Sequence, residues 1–586
     1  MRRKTYSPHH RALKRFDRSF LNGAERFTYI GAGELGGKAH GLARVSDVLE
    51  SKLKDAFAPS IRVAIPALTV ITTDIFDAFM KENDLYEVAY SEARDDIIAH
   101  AFQRASLPVG LVGDLRALVE QVHVPLAARS SSLLEDAMFE PFASVYATKM
   151  VPNNQPDADS RFRRLAEAVK YVYASTFFRS ARNYMKATHH ATIDEKMAVV
   201  IQEVVGTRFD QRFYPHISGV LRSFNFYPHG HATPDEGVVE LALGLGRTIV
   251  DEGVSWAFSP AFPRTGPPFK SVRDMLKHTQ TRFWAINMGP PPEYNPLSET
   301  EHMVQCDLGD AEYDGAIWNL ASTYRPANDS LQMGIGEKGQ RVIDFAPILQ
   351  ADVLPLNDLL RSLKQTCEDM LGTMVEVEFA VKLDRRGGAP AEFGFLQVRP
   401  MVVSEATVDI TDDELASGRV LLSSRGSVLG NGVLEEIRDI VYVDPERFDI
   451  MRTQELVPEL ERVNGELVAG RRPYLLIGFG RWGTTDPLGG IPVDFGQISG
   501  AKVIVESSLP NVPYTLSQGS HFFHNVTSFK IFYFSIRHHE ELGIDWDWLK
   551  QQQSRTGEAM VRHVELASPL LIKVDGRSGR GVVLHG

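Results

Sequence analysis

The chain has 586 residues, of which 43% are hydrophobic, 24% charged and 9% aromatic, a globular composition that excludes a disordered tail or a small stapled scaffold and predicts three or four domains of about 100–200 residues. Its 63 Lys and Arg against 75 Asp and Glu give a net charge of −12, so no global field favours a nucleic-acid backbone and nucleic acid is not an expected partner. Two cysteines, Cys306 and Cys367, are too few for a disulfide framework or a thiolate zinc site, and no apolar run reaches the roughly 18 residues of a membrane span, so a cytoplasmic protein without membrane attachment is expected.

Residues 1–26 form a basic arm carrying Arg2, Arg3, Lys4, Arg11, Lys14, Arg15 and Arg18 with no apolar stretch behind them. That pattern is unlike a signal peptide and reads as a solvated terminus or a docking arm. From residue 27 a short apolar segment, FTYI, leads into GAGELGGK and then a helical pattern with Leu42, Val45, Val48 and Leu49 on one face. A strand-like run at 62–72 precedes an amphipathic helix from Asp74, and the strand PLAAR meets a Ser-rich loop at Ser130–Ser132. Residues 160–186 are helical by periodicity and 196–205 strand-like by β-branched content. Further strands are expected at 218–226 and 237–243, with Pro-rich exposed loops at 260–268 and 290–296. A helix at 359–371, a strand at 374–382 and a closing strand at 394–398 complete this unit, and a boundary follows near 402–418. The remainder carries strands at 419–423, 439–443, 474–477 and 501–506 and a Gly-rich loop at 478–490. It is a second, smaller α/β region, and no internal repeat occurs.

Four segments carry chemistry. The loop Gly31–Lys38 places backbone N–H groups at a helix start, followed by one cation, as a phosphate requires. A nucleotide P-loop fails on spacing, because Ala32 holds the first glycine slot and Ala39 the hydroxyl slot. A dinucleotide fingerprint matches only as G-x-G-x-x-G, without a ribose-binding acid after the next strand, and a tight packing turn stays open. In the second segment, Arg129 ends a strand beside Ser130, Ser131 and Ser132 and is followed by Glu135 and Asp136. Such a group suits either a phosphate cradle or a helix N-cap with acids in its first turn. Third, Glu376-Val377-Glu378 and Gln397-Val398-Arg399 lie on two expected strands, and a hairpin would bring Glu378 and Gln397 close enough for two oxygen ligands to one Mg2+. Fourth, Gly478–Pro487 sets Arg481 and Trp482 among glycines, either a site for an anion or planar ligand or a long hairpin loop.

In chain order the blocks GGKAHGL, IPALTVITTDIFDAF, ARSSSLLED followed by FAS, EKMAVVIQEVV, SGV, ELALGLGR and EFGFLQVRPM resemble the nucleotide-binding domain of the pyruvate phosphate dikinase and phosphoenolpyruvate synthase family. The resemblance implies an α/β, ATP-grasp-like unit over 27–401, with lobes of about 27–195 and 196–401 and ATP between them. It implies that Lys38 and Arg129 are catalytic and contact phosphate, that Gly36, Gly37 and Ser130 join them in ATP binding, and that Gln202 and Glu203 pass beside the adenine. Glu378 and Gln397 match the family's metal ligands, so ATP and Mg2+ are the implied cofactors. One departure is that the family's GLGE block reads Gly244-Leu245-Gly246-Arg247 here, a base in place of an acid, which makes Arg247 a lesser site candidate. Arg129→Ala is expected to weaken catalysis more than folding, as a loop arginine contributes little to a core.

The tail, 419–586, resembles a diverged copy of the family's swivelling phosphohistidine domain. Ala501–Glu506 (AKVIVE) followed by Thr515–His524 gives a strand, a turn, Ser520-His521 and a helix that begins with two phenylalanines. His521 is the expected phosphate carrier, since neutral imidazole is a good nucleophile near pH 7, with His524 and Arg481 as lesser candidates; a turn capped by Ser520 with His521 packed on Phe522 and Phe523 is the alternative. The stretch 402–418 would be the hinge. The roughly 185 residues after Met401 fall short of the roughly 250 of a (β/α)8 barrel, so the family's pyruvate-binding barrel is expected to be missing. A dikinase-type phosphotransferase is therefore expected, turning ATP into AMP and acting on a small-molecule or protein acceptor. The alternatives are an ATP-binding regulatory protein that has lost the chemistry and, on the glycine loop alone, a nicotinamide-linked oxidoreductase.

Overall fold

The computed structural model describes residues 13–18, 26–135, 145–187, 195–250, 254–269, 271–384, 388–401, 408–484, 489–509, 526, 529, 531–538, 543–557 and 559–586. The first sheet is ordered Lys14–Arg15, Phe27–Ile30, Leu68–Ile71, Met197–Glu203, Leu126–Ser132, Thr148–Val151. Its central strands Leu68–Ile71 and Met197–Glu203 are largely apolar because both faces are covered. Val199 and Ile201 point into a cluster built with helices Thr73–Glu82, Asp95–Arg104, Val109–Gln121 and Ala158–Ser175. Their neighbours Ala198 and Val200 point the other way, onto Leu42, Val45 and Leu49 of helix Gly37–Lys52, the two-residue period of a strand.

The second sheet is ordered Trp256–Phe258, Val238–Ala242, Ile217–Arg222, Val375–Lys382, Ala391–Pro400, Ile61–Ala64. It is antiparallel except at its last pair. The run expected as one strand at 62–72 is broken: Ile61–Ala64 joins the second sheet and Leu68–Ile71 the first. Pro66 lies at the break, where a residue without an N–H cannot continue a ladder. The chain thus exchanges strands between lobes, and Met197–Glu203, just beyond the expected lobe boundary at 195, belongs to the first sheet.

In the tail, Asp439–Val443, Tyr474–Phe479, Ala501–Ser507 and Phe532–Ile536 form four parallel central strands with short antiparallel strands at both edges. A four-stranded antiparallel sheet covers one face through Leu421, Ile572, Val574 and Val583. Helix Thr453–Ala469 covers the other, and its Leu456, Leu460 and Val463 belong to the same apolar cluster as the first lobe. There Tyr184 packs on Phe495 and Phe529 at ring distances of 6.0 and 5.5 Å, and Arg179 pairs with Glu461 at 2.5 Å. The described part of 402–418 sits on the tail: Thr411 caps helix Asp412–Leu415, and Ile410 and Leu415 pack on Val582 and Leu584. Among the described residues no helix is long and apolar enough to cross a membrane.

Candidate functional site

A cavity of about 450 Å³ lies between the two sheets, and Lys38, Arg129, Gln202, Glu203, Arg247, Glu378 and Gln397 all line it. Leu126–Ser132 forms its floor, paired with Met197–Glu203 on one side and Thr148–Val151 on the other. Ser130–Ser132, expected as a loop, continue this strand opposite Val199, Ala198 and Met197 and are buried. Hydroxyls tolerate burial here because the neighbouring segments satisfy them: Ser131 Oγ donates to the Leu35 carbonyl at 2.9 Å and accepts from the Ala39 N–H at 3.1 Å.

Arg129 consequently sits on a strand and joins both sheets. Its Nη1 donates to Gln202 Oε1 (3.1 Å) and the Leu396 carbonyl (3.0 Å), and its Nη2 to Glu378 Oε2 (3.2 Å) and Gln397 Oε1 (2.9 Å). Expected in a loop with little contribution to a core, Arg129 lies instead on a strand, and these four bonds tie it into both sheets. Glu378 and Gln397 face each other across the hairpin, just before a bulge at Phe379, so their side chains share one face. Because both oxygens lie about 3 Å from a single nitrogen, one cation in that place can be reached by both. A carboxylate and an amide oxygen suit a hard cation that takes its other ligands from water and phosphate, and the pair fits Mg2+ on that basis. Among the described residues no group of three or more His, Cys, Asp or Glu is arranged to hold a metal.

Lys38 Nζ pairs with the carboxylate of Glu135 and donates to Ser130 Oγ at 3.1 Å. Gly36 precedes helix Gly37–Lys52 with φ 76°, and a Cβ there would fall 1.6 Å from the Ser131 carbonyl oxygen, so only glycine permits this contact with the strand. Gly36, Gly37 and Ser130 support the wall and do not line the cavity. Of the N–H groups of the glycine loop, those ahead of the helix start are taken: Ala32 and Gly33 donate to Asp74 at 3.0 and 2.8 Å, and Glu34 donates to Thr73 Oγ1 at 3.0 Å. Burial pushes the Asp74 carboxyl up, but bonds from Thr72, Gly33 and Ala32 outweigh it and hold the group below the ordinary carboxylate range. The Ala32 and Gly33 N–H groups are thus held by a carboxylate, which takes those two donors from any pyrophosphate at the G-x-G turn.

On strand Met197–Glu203, Gln202 Nε2 is buried without an acceptor among the described residues, a donor left for a ligand. Burial pushes the neighbouring Glu203 carboxyl up against the pull of Arg26. Arg247 lies 3.5 Å from Glu299 and over the Trp284 ring at 5.6 Å. Gly219 of the SGV block meets the Phe379 ring, which a Cβ would approach to 2.1 Å. Arg399, also at the cavity, donates to buried Glu376 at 2.7 Å, and Arg222 holds the same carboxylate at 2.6 Å. Sequence reasoning assigned no task to Arg222 or the Glu376–Arg399 pair and read Glu135 only as an acid after an N-cap; Ser132 and Glu135 do bond each other reciprocally as in a capping box.

His521 and His524 lie outside the described residues. Arg481 belongs to the tail, where Arg481–Trp482 pairs with Gly490–Ile491, away from the cavity; Trp482 is buried and donates to the Val505 carbonyl at 3.1 Å. A family model described as "Pyruvate phosphate dikinase, AMP/ATP-binding domain" matches residues 32–418, well over half of the chain. No curated protein matches the chain in a direct comparison.

Proposed function

The chain belongs to the family of the pyruvate phosphate dikinase AMP/ATP-binding domain, and on that premise we propose that it is a cytoplasmic, ATP- and Mg2+-dependent phosphotransferase of the dikinase type, converting ATP into AMP. The observation that carries this reading is the convergence of Lys38, Arg129, Gln202, Glu378 and Gln397 on one cavity between the lobes. Phosphoryl transfer asks a protein mainly for positioning and for charge stabilisation. Lys38 and Arg129 would meet the negative charge on the phosphates, Gln202 and Glu203 would border the base, and Glu378 and Gln397 would hold Mg2+. When bound, the ion neutralises phosphate oxygens. Arg129 would then exchange its bonds to Glu378 and Gln397 for phosphate oxygens, a choice its five donors permit.

His521 is the proposed carrier and His524 the second choice, on the sequence alone. In that step an imidazole nitrogen attacks the β-phosphorus, the bond to the oxygen bridging the α- and β-phosphates breaks, and AMP leaves with that oxygen and its electron pair. The acceptor that follows is a small molecule or a protein. Incubation with β- and γ-labelled ATP in separate reactions tests the reading: AMP should form and β-label should appear as acid-labile phosphate on the tail. ADP with no label on protein would refute the dikinase reading, and unchanged labelling in His521→Ala would refute the carrier. A second reading, an ATP-binding regulatory protein without turnover, draws on Arg247 in place of an acid; it predicts nucleotide binding by calorimetry with ATP recovered intact.

A further inference from the structure

Glu135 is a carboxylate on the cavity wall with 2% exposure, and three donors fix it: Lys38 Nζ, Ser130 Oγ at 3.0 Å and the Ser132 N–H at 3.0 Å. Its own N–H donates to Ser132 Oγ at 3.1 Å, so backbone and side chain are held together. Lys38 reaches the cavity from the opposite element, the first turn of helix Gly37–Lys52. A lysine ammonium has three N–H groups on a flexible four-carbon stem. Ser130 and Glu135 take two of those donors, which leaves one for a ligand oxygen.

The charge arrangement is informative. A buried carboxylate beside the lysine subtracts from the positive potential available to bind ATP, so affinity alone would select against it. What it supplies is a fixed direction for the ammonium, and binding energy spent on orientation raises turnover rather than ground-state affinity. A glutamate holding a phosphate-contacting lysine serves protein kinases in the same physical way.

We propose that Glu135 is a positioning residue, whose carboxylate, anchored by Ser130 and Ser132, holds Lys38 Nζ in the pose for phosphoryl transfer. This rests on ATP binding between the lobes as proposed above. Glu135→Gln keeps an acceptor oxygen for the Ser132 N–H and removes the charge. In the full chain, ATP affinity by calorimetry with Mg2+ should stay unchanged or rise by up to about tenfold, while single-turnover AMP formation falls by about tenfold or more. Acetylation of Lys38 by acetic anhydride, read by mass spectrometry without nucleotide, should become several-fold faster as the ammonium is released. Equal Lys38 acetylation in both proteins would overturn the proposal, as would parallel losses of affinity and turnover, the mark of a damaged fold. If the Gln variant does not fold, Glu135→Asp withdraws the charge by one methylene and should show the same split. Failure of the wild type to form AMP would remove the phosphotransfer reading, and the acetylation arm would still decide the role of Glu135.

Discussion

Arg129→Ala probes the central joint of the molecule. The guanidinium is 13% exposed and makes four hydrogen bonds, two of them to the facing pair Glu378 and Gln397 in the other sheet. Removing it deprives a carboxylate that is only 21% exposed of its counter-charge and takes a donor from the Leu396 carbonyl. Breaking one partner of a largely buried ionic pair costs about 3–5 kcal/mol, because the remaining charge keeps its desolvation penalty. Urea unfolding of the full chain should therefore show the transition of the N-terminal unit lowered by that amount. Arg129→Lys, with charge but without the planar fork, should lose about 1–2 kcal/mol. Mg2+ without nucleotide should restore part of the loss in the Ala variant, since a cation can then occupy the position of the missing guanidinium between Glu378 and Gln397. Wild-type urea stability in Arg129→Ala, or no effect of Mg2+ on that variant, would refute the reasoning.

Burial, aided by the charge of Glu135 and opposed by the Tyr146 hydrogen bond, pushes the Glu195 carboxyl from 4.5 to about 7. A folded-state value above the unfolded one contributes stability that is full below about pH 4.5 and is lost as pH rises toward 7, by roughly 3 kcal/mol in all. Glu195→Gln should flatten the pH dependence of thermal unfolding between pH 5 and 8 and stabilise the protein at the upper end; an unchanged slope would count against this origin. Gly36→Ala places a Cβ 1.6 Å from the Ser131 carbonyl oxygen at a φ of 76°, so it should cost about 2 kcal/mol or more and weaken ATP binding by displacing Lys38, measurable by calorimetry. Tyr184→Ala empties the joint with Phe495 and Phe529 and should cost about 3 kcal/mol or more. Protease cutting between the first lobe and the tail should accelerate in that variant. Arg179→Ala, at an exposed pair, should change stability by at most about 1 kcal/mol.

Local pattern in the sequence was sufficient for the α/β class, for most strands and helices of both regions, and for the family, because side-chain periods of 2 and 3.6 and short motif blocks are read within a few residues of each other. Lys38, Arg129, Glu378 and Gln397 were grouped by the family resemblance alone, and the fold brings all four to one cavity. What pairs with them was not legible in the sequence. Arg129 meets Gln397 across 268 positions of chain, Lys38 meets Glu135 across 97, and Asp74 fills the glycine loop from 41 positions away. The Ser-rich segment reads as a loop in isolation, yet it becomes a buried strand because Met197–Glu203 lies beside it. Likewise Pro66 divides one apolar run between two sheets. Local sequence specifies which backbone forms are cheap, whereas the partner of a buried charge depends on which strands the tertiary fold makes neighbours, and only burial makes that partner obligatory.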